Sequence, residues 1–367
     1  MAEKDLGYRR VQCTGRGSFI ISLPKEWVQN IGLKRGSEIA FVVQRDSSLL
    51  LIPRKLKEGT NKDESSKLRE YCISVDPKKD SESLYRMVRA LYAIGADVIR
   101  VRFKSTEAAE KQKAELKNLV RDTFLGSEII DESPDEITFQ ILIRHSEFPI
   151  EKAVRRMTIV ALSANKDAIL ALKNLSSTTF QSVVSAHNDV GRLALYVVRQ
   201  LKWGIERNLF RELGFNTPKE FLLYRIAVNN ITDISDDALN IVSSLQKFKK
   251  MIEDQSLFLK ETVDEEIYSQ LLKFNATVHQ FFEEAIHAMF KSDYHDAEQI
   301  ITRRKSLSTL ESELITLMSS KKLDPNIAAI LRLMLDSSRR ILDYGENMAE
   351  LTLNRTVEDI CTNYLVK

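Results

Sequence analysis

The sequence has little that would mark a secreted, membrane-spanning or catalytic protein. Three cysteines (Cys13, Cys72, Cys361) are scattered over 367 residues and form no CxxC pair. That spacing offers no disulfide framework and suits a reducing compartment. Cys13 reads as a small apolar strand residue, with a reactive thiol as the alternative. No window approaches the ~18 uninterrupted apolar residues of a membrane span. The opening MAEKDLGYRR carries no apolar signal segment, so a cytoplasmic protein without membrane insertion is expected. The five histidines (145, 187, 279, 287, 295) give no HExxH and no Cys/His ligand spacing. A phosphate loop, a GxGxxG turn and a GxSxG elbow are also missing, and no nucleophile–base pair follows from spacing. The expectation is a protein that is not an enzyme and needs no cofactor.

Hydrophobic residues make up 43% of the chain and charged residues 29%, the balance of a soluble globular protein. The length calls for two or three domains. Net charge is only +2, but it is unevenly spread. Residues 1–57 carry eleven Lys/Arg against five acids, a formal +6, and the remaining 310 residues carry −4. A basic head on an acidic body is expected where one end meets a polyanion.

In the head, Arg9 to Thr14 alternates polar and apolar residues, as a half-buried strand does. Gly15-Arg16-Gly17 breaks it, and Phe19, Ile21 and Leu23 resume the alternation. Pro24 opens a short helix from Lys25 to Ile31 as a first-turn proline, and Gly32 ends it in a left-handed conformation. Ile39 to Val43 and Leu49 to Ile52 read as a hairpin across Arg45-Asp46-Ser47-Ser48. This ββαββ unit of about fifty residues exposes apolar strand edges, and pairing with a second copy covers them.

Residues 9–54, RRVQCTGRGSFIISLPKEWVQNIGLKRGSEIAFVVQRDSSLLLIPR, resemble the AbrB/SpoVT family of DNA-binding domains. The marks are the TG turn, the strand ending in LPK, the GLxxGxx turn and the closing hairpin. The LPKEW variant is most similar to archaeal members. The resemblance implies a swapped-hairpin β-barrel built from two interleaved chains, hence a homodimer, with basic residues on one face holding DNA. By position it implies DNA-binding roles for Arg9, Arg10, Arg16 and Lys25. Lys34 and Arg35, in the second turn, are further candidates for phosphate contacts. The residue types agree, since Lys and Arg neutralise phosphates and Arg also reads guanine edges.

Residues 58–147 read as a linker followed by a small α/β domain. Lys57 to Glu70 is polar throughout. A strand at Tyr71–Val75 precedes a helix capped by Ser81 or Ser83 that runs through Ala93 to a stop at Gly95. A strand at Val98–Phe103, a charged amphipathic helix at Glu107–Phe124 and strands at Ser127–Asp131 and Ile137–Ile143 complete a βαβαββ sandwich.

From Phe148 to Lys367 only helix signals remain. Phe148-Pro149 opens a helix to Asn174, and another spans about 178–211. Thr217-Pro218-Lys219-Glu220 starts a third, with Thr217 as cap, running to about Met251. Its apolar stripe is Leu223, Ala227, Ile231, Ile234, Ala238, Ile241 and Leu245. Helices near 257–291, 293–320 and from Asp324-Pro325 to about Asn363 follow. LYRIAVNNITDISDDALNI (223–241) echoes LRLMLDSSRRILDYGENMA (331–349), which divides the six helices three and three. This half resembles the PhoU family of tandem three-helix bundles, and the whole chain is similar to archaeal proteins joining an AbrB-like head to a PhoU-like body.

The resemblance implies regulation of phosphate uptake or phosphate homeostasis. The expectation is a multidomain α+β, DNA-binding transcriptional regulator with the helical half as sensor or partner module. The alternative is an adaptor that acts on a phosphate transporter or its signalling kinase without touching DNA. Metal-binding members of the family carry acid-xxx-acid pairs on helix faces. Here Thr232 stands opposite Asp236, Arg339 opposite Asp343, and Gly191 replaces an acid, so multinuclear metal binding is expected to be lost or altered. Asp233, Asp236 and Asp237 remain as a cluster that could hold a divalent metal or serve as a solvated, partner-facing patch.

Overall fold

In the computed structural model the described residues are 7–15, 17–43, 48–54, 68–76, 80–104, 106–143, 147–207, 209–253 and 263–361. The chain divides into two compact units, Met1–Leu68 and Arg69–Lys367.

The first unit contains β1 (Gln12–Cys13), β2 (Phe19–Ile20), α1 (Lys25–Asn30), β3 (Ile39–Val43) and β4 (Leu49–Pro53). The first two strands are shorter than the alternation suggested. They pair antiparallel, Cys13 opposite Phe19, across a turn in which Gly17 takes φ +80°. Pro24 precedes α1 as its cap residue. Gly32 ends the helix at φ +66°, and the Leu33 N–H returns to the Val28 oxygen at 3.0 Å. A residue with a side chain would be strained there, which is why glycine closes this type of helix end. β3 and β4 pair from Ile39–Pro53 to Val43–Leu49. The expected hairpin loop, except Ser48, lies outside the described residues.

The second unit begins with β5 (Glu70–Val75), α2 (Ser81–Ala93), β6 (Val98–Phe103), α3 (Thr106–Thr123), β7 (Ser127–Glu132) and β8 (Glu136–Ile141). The sheet order is β5-β6-β8-β7, with β5 and β6 parallel and the other pairs antiparallel. The cap of α2 is Asp80, whose carboxylate accepts from the Glu82 N–H, and not Ser81 or Ser83. Asp80 stands one residue before the helix, where a side-chain oxygen reaches the second N–H, and both serines lie inside the first turn. One sheet face is buried: Ile73, Val101 and Phe139 pack with Val88 and Tyr92 of α2, with Leu116 of α3 and with Phe124 just after it.

Six helices follow: α4 (Ile150–Asn174), α5 (Ser177–Arg207), α6 (Glu220–Glu253), α7 (Glu265–Lys291), α8 (Tyr294–Ser320) and α9 (Pro325–Ile360). α4–α6 pack as one three-helix bundle and α7–α9 as another, and the two meet along α6 with α9 and along α4 with α7. All seven residues of the α6 stripe are buried. α7 starts later than its periodicity suggested because Asp264 caps it through the Glu266 and Ile267 N–H groups. Residues 257–262 of that expectation, and Asn363 at the far end of α9, lie outside the described residues. Among the described residues no helix is long and apolar enough to cross a membrane.

α5 is the wall shared by the helical bodies and the α/β layer. Leu193, Val197 and Leu201 point into the helical core, while Leu195 packs against the sheet core. Arg199, buried on the same helix, donates from Nη1 to the main-chain oxygens of Tyr92 and Ala96 at 3.0 and 2.6 Å, and from Nη2 to Asp97 at 3.2 Å. Those carbonyls close the C-terminal end of α2, where a cation is electrostatically favoured. Asp97 also accepts the Arg69 N–H at 3.0 Å, and the Arg69 guanidinium pairs with Glu206 at 2.7 Å. The first residue of the second unit is thus tied to both α2 and α5.

Candidate nucleic-acid interface and the acidic helix faces

The candidate DNA-binding residues fall on three segments of the first unit. Arg9 and Arg10 lead into β1, Lys25 opens α1, and Lys34 and Arg35 occupy the turn between α1 and β3. Arg16 lies outside the described residues. The five described cations are exposed, and among the described residues none forms an ion pair. The main chain orders the second turn: the Lys34 N–H donates to Ser37 Oγ at 3.0 Å, and the Ser37 N–H donates to the Lys34 oxygen at 2.9 Å. Arg54 is held by Glu38.

The apolar strand residues of this unit have no core of their own. Val11, Phe19, Ile21, Phe41, Val43 and Leu49 are exposed by 51–76%. Pro53 is its one buried residue among those described. A patch of large apolar side chains on both hairpins marks a surface that must be covered by something else.

On the helical side, the acids singled out by sequence do not assemble into a ligand set. Asp237 is nearly buried in α6, and its two oxygens take the Nε and Nη2 donors of Arg340 from α9 at 2.7 and 2.5 Å. Burial pushes the Asp237 carboxyl up, opposed by the guanidinium. Asp233 is also pushed up, by burial first and then by Asp236 and Asp237. Asp236 lies 3.4 Å from His187 Nδ1. The Thr232 hydroxyl donates to its own helix at the Val228 oxygen. In the second bundle Asp343 is met by Arg304 at 2.7 Å and by Arg339 at 3.6 Å, and Arg304 also holds Glu346 at 3.1 Å. At Asp237 and Asp343 guanidinium groups stand where a cation would need free carboxylates, and among the described residues no group of three or more His, Cys, Asp or Glu is placed to hold a metal ion.

Sequence reasoning missed several polar residues that organise the body. Glu220 is the last residue of the Thr217-Pro218-Lys219-Glu220 helix start and the first residue of α6. It does accept the Asn216 and Thr217 N–H groups, at 2.6 and 3.1 Å, but it is buried and also pairs with Arg355 of α9 at 2.9 Å. Arg199 carried one signal, a charged residue within the apolar run LYVVRQL. Asn165, Asn275 and His279 carried none.

Residues 12–59 match the family model described as antidote-toxin recognition MazE, bacterial antitoxin, and residues 271–352, most of the second bundle, match the PhoU domain. The crystal structure of PhoU from Pseudomonas aeruginosa aligns at 18% identity with a TM-score of 0.44, over 56% of this chain and 95% of that one. No curated protein matches the sequence significantly. The chain thus joins a MazE/AbrB-type domain at its N-terminal end to a PhoU domain at its C-terminal end.

Proposed function

We propose that this protein is a cytoplasmic DNA-binding regulator of phosphate uptake or phosphate homeostasis. It binds DNA as a homodimer through residues 1–57, with the α/β layer (58–147) and helical body (148–367) as the sensing or partner-binding part and no catalytic step of its own. The PhoU domain supports the link to phosphate uptake. The observation that carries the DNA reading is the set of cations on the N-terminal unit that, among the described residues, form no ion pair: Arg9, Arg10, Lys25, Lys34 and Arg35; Arg16 joins them as a candidate by sequence. A domain that served only to dimerise would have no need of five exposed cations that, among the described residues, form no ion pair. Lys and Arg released from counter-charges displace the ions condensed on the duplex, which supplies sequence-independent affinity. Arg side chains add base-edge recognition where they enter the major groove.

The uncovered apolar strands support the dimer. Two copies facing each other remove Phe19, Phe41 and Val43 from water together and double the cationic surface along the DNA axis.

Fluorescence anisotropy with a duplex of roughly 30 base pairs, long enough for two half-sites, tests this reading. The full chain is expected to bind, and the Arg10→Ala/Arg16→Ala protein to bind at least about tenfold more weakly at the same salt. Equal binding by a folded double variant would remove these residues from the interface.

A further inference from the structure

α4 and α7 run antiparallel along the seam between the bundles. Lys173 pairs with Glu265 at 2.8 Å near one end, and Asn165 meets Asn275 and His279 further along. Between the two helices lies an open groove of about 630 Å³, within the range that holds small molecules. Its walls are aliphatic, with Ile159, Leu162 and Leu170 from α4 and Leu272 and Ala276 from α7. Ile159 is 58% exposed and Leu170 37%, although the rest of the apolar face of α4 is buried. Along α4 the groove extends eleven residues, from Ile159 to Leu170, about 16 Å of helix.

The floor is polar and ordered. Asn165 Oδ1 accepts from Asn275 Nδ2 and lies 2.9 Å from His279 Nε2, while the two amides donate to Ser337 and Ser338 of α9 at 2.9 and 3.0 Å. An amide oxygen can only accept, so this network places the His279 proton on Nε2. Asn275 Oδ1 and His279 Nδ1 then remain as acceptors with no hydrogen bond to another described residue, and both residues line the groove.

Two exposed lysines flank it, Lys166 on α4 and Lys273 on α7, and among the described residues neither has a carboxylate partner. Neighbouring cations on the same helix do, Arg155 with Glu151 and Lys173 with Glu265. Glu283 stands at the Ile159 end, so the groove is positive near Lys166 and Lys273 and negative at its far end.

We propose that this groove is a binding site for a small amphiphilic anion, its acidic head between Lys166 and Lys273 and its apolar body along Ile159, Leu162 and Ala276. The lysine pair answers an anionic head and the aliphatic walls answer an apolar body, which is the chemistry of a small amphiphile. Because the two walls belong to different bundles, such a ligand bridges both halves of the body. The site is independent of the DNA-binding reading.

Isothermal titration of the full chain with decanoate below its micelle concentration tests the site, with decyltrimethylammonium, acetate and inorganic phosphate as controls. One decanoate per chain is expected, the cationic analogue should not bind, and acetate and phosphate should bind at least about tenfold more weakly for want of an apolar body. The exposed pair Lys166→Glu/Lys273→Glu, shown folded by circular dichroism, should weaken decanoate at least about tenfold. Equal binding of the two decyl compounds, or decanoate binding unaffected by the double variant, would overturn the proposal. Binding of an acidic amphipathic peptide without binding of decanoate would overturn it too, in favour of a protein partner.

Discussion

Arg340 on α9 grips Asp237 on α6 with two parallel hydrogen bonds, and this pair joins the two three-helix bundles at their interface. The carboxylate is nearly buried and the guanidinium about one-third exposed. Removing one member leaves the other as an uncompensated charge in the seam. Arg340→Leu is therefore expected to cost about 3 kcal/mol in chemical denaturation, at the low end for a buried pair because Arg340 keeps some solvent. Asp237→Leu on top of Arg340→Leu should recover a large part of that loss. A double variant as unstable as the single would show that packing, not charge, sets the cost.

Arg199 carries the second joint, between α5 and the end of α2. Burial lowers its proton affinity, while Tyr92 and Asp97 oppose that effect, so it is charged and costly to leave without partners. Arg199→Met keeps the stem and removes three hydrogen bonds. A loss of about 2–3 kcal/mol is expected, together with earlier hydrogen exchange in α2 and β6 than in α4 and α6. Uniform exchange across the whole body would show that the α/β layer does not rely on this residue.

Stability should also fall in mild acid because of His279. Burial, reinforced by Lys166, pushes this imidazole down to about 4, against 6.5 when free. The unfolded chain binds the proton first, so the neutral ring's contribution is intact above pH 6.5 and is lost as pH falls toward 4. The full effect is on the order of 3 kcal/mol. Denaturation midpoints measured between pH 7 and pH 4 should drop for the native sequence and drop less for His279→Gln. Parallel curves would assign the acid sensitivity to other groups.

Gly345 in α9 faces the ring of Phe281, and a Cβ built there would stand 2.7 and 2.8 Å from two ring carbons and 3.4 Å from the Phe282 Cα. Phe281 is fully buried and has no room to withdraw. Gly345→Ala would gain about 1 kcal/mol of helix propensity but should still destabilise the protein by about 1–2 kcal/mol through overpacking of α7 against α9. A rise in thermal midpoint would show that the two helices separate easily.

Much of this architecture is written in local pattern. The seven-residue stripe of α6 is buried throughout because a three-to-four spacing puts every member on one face. The ββαββ order of the head follows from Pro24, Gly32 and the alternation in β3 and β4, where turn chemistry and period agree. The order βαβαββ followed in the same way. Cap identity was less legible, since Asp80 outcompetes the two serines by only one or three positions of register.

The polar interior was not legible. Asn165 meets partners 110 and 172 positions away, and nothing in a local window distinguishes such a residue from a solvated one. Arg340 and Asp237 are 103 positions apart, and the acid looked like part of an exposed cluster until the opposing helix was in place. The candidate DNA residues come from the resemblance to the AbrB/SpoVT family, with which the charge asymmetry of the head agrees. That Arg9, Arg10, Lys25, Lys34 and Arg35 form no ion pair among the described residues is a tertiary fact.

The measurement closest to the central claim is the salt dependence of duplex binding by the full chain. For a protein neutralising Z phosphates, the logarithm of the affinity falls with the logarithm of salt at a slope of about −0.9Z. A steep slope is expected, shallower by about one for each of Arg9, Arg10, Lys25 or Lys34 changed to alanine. No binding by the folded protein, or an affinity unchanged by salt, would contradict the DNA reading and favour the N-terminal unit as a clasp for an adaptor.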